Sequence, residues 1–74
     1  MNGKTIAYLL NELEAGSTLE TRQLKQLGLA LVEVVHFLND TGLERMAGTY
    51  RTRVVEISSY LYNRGSKLDL LAKL

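Results

Sequence analysis

The chain has no cysteine, no proline and no tryptophan, and it carries a single phenylalanine and a single histidine. Without cysteine there are no disulfides and no thiolate metal sites, which is the usage expected of a reducing, cytoplasmic setting. Without proline no stretch is barred from the interior of a helix, and leucine, a strong helix former, supplies much of the apolar content. The first twenty residues lack the basic start, apolar run and small-residue site of a secretory leader. No apolar run is long enough to span a bilayer; the greasiest, Leu27–Leu38, has twelve residues and includes Glu33 and His36. No membrane role is expected.

What remains is 74 residues with a net charge of +1, enough for one domain over residues 1–74 near the lower size limit for folding without staples. The charge is uneven. Residues 1–40 carry a net −2 and residues 41–74 a net +3. That excess falls well short of a basic nucleic-acid-binding arm, although it permits an anionic partner.

Periodicity and stop signals predict an all-α chain, a small antiparallel bundle of three main helices at about 4–15, 18–39 and 42–63 with a short C-terminal helix at about 67–73. Ile6, Leu9, Leu10 and Leu13 repeat at helical spacing, and Gly16 supplies a terminator. Ser17-Thr18-Leu19-Glu20 has the form of a capping box for the second helix, whose stripe is Leu24, Leu27, Leu31, Val34, Val35 and Leu38. Thr41-Gly42-Leu43-Glu44 has the same form for the third, with Leu43, Met46, Ala47, Tyr50, Val54, Ile57 and Leu61 as its stripe. Gly65 ends that helix, and Ser66 with Asp69 caps a leucine-rich tail. A strand at Val32–Leu38 is the alternative suggested by its valines and phenylalanine, but no second strand is available to pair with it.

Catalytic constellations are absent from this pattern. Ser58 and Ser59 have no nearby base, and Gly28, Gly42, Gly48 and Gly65 are too scattered for a phosphate loop. Glu33 and His36 at i, i+3, with Asp40 beyond, have the spacing of one half of a carboxylate-bridged metal site. Such sites need a second motif and further glutamates, so the pair is taken as the polar strip of an apolar helix. Neither enzyme activity, a metal nor a cofactor is expected.

The third helix offers more. Arg53, Tyr60 and Arg64 fall on one flank of its apolar stripe, and Arg51, Val55 and Tyr62 on the other. Arginine beside tyrosine is enriched in protein interfaces, so Arg51, Arg53, Tyr60, Tyr62 and Arg64 are the candidate partner-binding residues. The second helix is apolar on more than its core stripe, with Leu19, Ala30 and Phe37 on another side. Two short neighbours leave part of it uncovered, which points to a homodimer with Gly28, Ala30, Phe37, Leu71 and Leu74 at its interface. The function expected is that of a small regulatory or adaptor protein of bacterial or phage type that binds protein. The alternative is a small helical DNA-binding transcriptional regulator using Arg51, Arg53, Arg64 and Lys67. A helix-turn-helix over residues 54–74 has the right outline, but Leu68, Leu70, Leu71 and Leu74 leave its second helix little polar surface for reading bases.

Overall fold

The computed structural model describes residues 3–15 and 18–74, with side chains from Ile6 onward. Three helices form, α1 (Gly3–Glu14), α2 (Thr21–Asp40) and α3 (Glu44–Asn63), followed by a 3-10 turn at Leu71–Lys73. Among the described residues there is no strand, and no helix is long and apolar enough to cross a membrane. The 20 residues of α2 span about 30 Å at 1.5 Å each, most of the molecule's 34 Å long axis. This helix is the axle against which the other elements pack.

The core is one apolar cluster. Leu24, Leu27, Leu31, Val32, Val35 and Leu38 of α2 meet Ala47, Val54, Ile57 and Leu61 of α3, while Leu9 and Leu13 of α1, Leu19 of the connection and Leu70 of the tail close it. Val34, placed by periodicity in the main stripe of α2, is only half-buried at its edge.

The helix ends differ from the expected caps. Gly16 and Ser17 lie outside the described residues. The second helix begins at Thr21 rather than at residue 18, and Glu20 is its N-cap. The backbone N–H of Glu20 donates to Gln23 Oε1 at 3.0 Å, so the reciprocal box is built three residues late. Leu19 stays outside the helix with its side chain buried and its carbonyl accepting from Arg64 Nη1 at 2.6 Å. A helical Leu19 would hold a different backbone course and could not keep both.

Thr41 likewise serves the helix before it and not the one after. Its hydroxyl donates to Phe37 O at 3.0 Å and to Leu38 O at 3.1 Å, and the residue preceding α3 is Leu43, which makes no side-chain cap. Gly42 and Gly65 hold φ of 80° and 78°, the left-handed conformation that glycine adopts without a Cβ penalty. Each completes the same paired closure. Gly42 N–H donates to Asn39 O and Leu43 N–H to Leu38 O; Gly65 N–H donates to Tyr62 O and Ser66 N–H to Leu61 O.

Leu43 and Met46, expected in the α3 core, are 47% and 49% exposed. Leu43 sits in the irregular loop, where helical spacing no longer predicts direction, and Met46 lies roughly 60° off the centre of the buried stripe at 3.6 residues per turn. The C-terminal helix expected at 67–73 is reduced to the 3-10 turn. Ser66 Oγ accepts from Leu68 N–H and Asp69 Oδ1 from Ala72 N–H, both at 3.2 Å. These local bonds fold the tail into turns that let Leu70 drop into the core.

Candidate functional site

One feature of the interior governs which surfaces remain outside. Gly28, in the middle of α2, is buried, and a Cβ placed on it would overlap Leu70 Cδ1 and lie 3.3 Å from Ile57 Cγ2. The missing side chain makes a notch, and Leu70 fills it. A second tie holds the same segment, for His36 Nε2 lies 2.7 Å from the Lys73 carbonyl oxygen and donates to it. The tail is thus clipped to α2 at two points, eight residues apart on the helix. Leu74 is half-buried against the same core.

This closure redistributes the residues expected at a dimer interface. Gly28 is corrected to an interior position, because the intrachain Leu70 occupies the space that close helix approach would need, and Leu74 also turns inward. Leu71 faces outward on a different side of the molecule. Only Ala30 and Phe37 share a surface. With Ile6, Gln26, Leu29, Glu33 and Val34 they line an open groove along α1 and the outer side of α2, and Phe37 at 63% exposed stands out further than Leu29, its other large exposed apolar residue. Leu19, placed with Ala30 and Phe37 beyond the main stripe, is buried and does not contribute.

The two flanks of α3 also separate. Arg53 pairs with Glu14 at the end of α1 and with Glu56 one turn on at 3.3 Å. Arg64 reaches the Leu19 carbonyl, and Tyr60 packs half-buried on the core. This flank is a seam joining α3 to α1 and to the α1–α2 connection, and the candidate partner-binding residues Arg53 and Arg64 make intrachain contacts there. The other flank stays open. Arg51 and Val55 are exposed, and Tyr62 is 81% exposed. Val55 and Tyr62 form one wall of a second groove whose opposite wall is the tail, with Lys67, Leu68 and Leu71. Ser58 and Ser59 line the same groove, together with Asn63, Ser66 and Asp69.

Among the described residues no three of His, Asp and Glu come together in a way that could hold a metal ion. Glu33 opens onto the α2 groove while His36 is turned to the tail carbonyl, so the i, i+3 pair is divided between two tasks. The notch at Gly28 escaped the sequence reading, although a glycine among leucines inside a helical pattern is a signal of close approach. Comparison of the chain with protein-family models, with curated proteins and with solved structures finds no match.

Proposed function

We propose that this chain is a small regulatory or adaptor protein that acts by binding other protein chains rather than by catalysis. It pairs with a second copy through the outer side of α2 and offers the α3 groove to a further protein. The supporting observation is that two separate apolar openings remain after the core has closed, one centred on Phe37 and one on Tyr62. Rigid aromatic residues standing out of shallow apolar grooves are the usual anchors of protein interfaces. Each groove also carries polar groups, Gln26 and Glu33 beside Phe37, and serines, Asn63, Lys67 and Asp69 beside Tyr62, which suits recognition of a side-chain pattern.

Sedimentation equilibrium of the chain at micromolar concentration tests the first half of this proposal. A dimer is expected, and a well-folded monomer overturns the pairing. The competing class, DNA binding, draws on Arg51 and Lys67, which have no ion pair within the chain among the described residues. Its other two cations are engaged by Glu14, Glu56 and Leu19. A labelled duplex retained with a steep loss of affinity as salt rises would favour it over protein binding.

A further inference from the structure

We propose that the hollow over Gly28 is a docking site for a leucine-bearing segment of another protein, and that the chain's own tail is a displaceable plug in it. The site is distinct from the Phe37 opening and does not depend on self-pairing. Its receptor half belongs to the helices. Gly28 lacks the side chain that would fill the space where Leu70 sits, and Ile57 of α3 stands beside the same hollow. About two turns further along α2, His36 Nε2 donates to the Lys73 carbonyl. An apolar hollow with one donor at that distance defines what fits: a leucine side chain, followed three residues later by an unpaired backbone carbonyl.

The ligand half is self-contained. Leu68 N–H donates to Ser66 Oγ, Ala72 N–H to Asp69 Oδ1, Lys73 N–H to Leu70 O and Leu74 N–H to Leu71 O. All of these bonds lie within residues 66–74, so the segment makes its own turns. Among the described residues, the hydrogen bond from His36 is the one that ties residues 67–74 to the helices. Leu70 is fully buried, Leu68 and Leu74 pack at the core edge, and Leu71 is exposed. The end of α3 does not rely on the tail, because Gly65 N–H and Ser66 N–H close it onto Tyr62 O and Leu61 O. The plug can therefore leave without unwinding either helix. What it vacates is shaped for a segment like itself, with leucines at its first, third and seventh positions around a short turn. A tethered tail acts at an effective concentration in the mM range, so a partner displaces it by adding contacts that the tail lacks. Such contacts are at hand on α3. Lys67, Leu68 and Leu71 form one wall of the Tyr62 groove, and a partner that lifts this wall meets the exposed Val55 and Tyr62.

The tail's own sequence is the probe. An unlabelled peptide of residues 66–74 is titrated into the isotope-labelled full chain, so that resident and added tails are observed separately by NMR. The amide signals of residues 68–74 are expected to move to the positions of an unstructured segment at peptide concentrations of order mM. Those of Gly28 and Ile57 are expected to keep their docked positions. The same peptide carrying Leu70→Ala should compete less well by about thirtyfold or more. Tail signals that stay in place as the peptide is raised tenfold beyond that range overturn the proposal, and so does equal competition by the two peptides. Shifts confined to residues around Phe37 or Tyr62, with the resident tail still docked, place the peptide in a groove and overturn it as well. Release of the tail on concentrating the chain alone would make a second copy the occupant and overturn the foreign partner. Self-pairing through α2 is scored separately by sedimentation, so the failure of one reading is not the failure of the other.

Discussion

At the scale of single residues, Gly28 and Leu70 act as one unit. Glycine in a helix interior costs about 1 kcal/mol relative to alanine, so Gly28→Ala would stabilise an isolated α2. In the folded chain the added Cβ meets Leu70, which is fully buried and has little room to shift. Overpacking of this kind costs about 1–3 kcal/mol, and Gly28→Ala is expected to be neutral to destabilising. Leu70→Ala alone should cost about 2–5 kcal/mol. In the Leu70→Ala background the notch is empty, and Gly28→Ala should become stabilising by about 1 kcal/mol. Urea unfolding of the four proteins checks this reversal of sign, and additive single effects would show that the two side chains do not compete for the same space.

The arginines of α3 differ at the same scale. Arg53 and Arg64 close the seam to α1 and to Leu19, whereas Arg51 is exposed and has no ion pair among the described residues. Truncating Arg64 removes one hydrogen bond to the Leu19 carbonyl, at a cost of about 1 kcal/mol. Arg51→Ala should leave thermal stability within about 0.5 kcal/mol. Thermal melts of the two variants separate the seam residue from the exposed one.

At the scale of elements, α2 carries the load of the fold, since α1, α3 and the tail all pack on it. Leu31 lies fully buried at its centre, and Leu31→Ala should cost about 2–5 kcal/mol, a large share of the stability of so small a domain. The tail is held by fewer contacts, chiefly Leu70 in its notch, the carbonyl bond from His36 and the edge contact of Leu74. Amides of residues 68–74 are therefore expected to exchange hydrogen sooner than those in the middle of α2, and Gly28→Val should release the tail while α2 and α3 stay protected. Exchange measured residue by residue checks this order.

Considered whole, the molecule closes a leucine-rich core with three helices and a short tail, and leaves Phe37 and Tyr62 standing outside it. Their large exposure means that Phe37→Ser and Tyr62→Ser should change the melting temperature of the monomer little. They should act on association instead. Phe37→Ser is expected to weaken self-pairing in sedimentation, with Tyr62→Ser leaving it unchanged, because the two side chains belong to different grooves.

The number and kind of elements could be read along the chain because their causes are local. Apolar residues recurring at helical spacing define α1, α2 and α3, and Gly42 and Gly65 stop two of them because a left-handed residue closes a helix end wherever it occurs. The caps were misplaced where one polar residue could serve either of two neighbours: Thr41 can bond backward to Phe37 or forward to α3, and only packing selects the first. The surface assignments turned on contacts far apart in sequence. Gly28 becomes interior because Leu70 returns to it, Arg53 and Arg64 make intrachain contacts because Glu14 and Leu19 lie beside them, and Ala30 parts from Leu71 because the tail folds across the other side of the bundle. Periodicity states which residues share a face of one helix. Which faces are covered depends on where the rest of the chain comes to lie.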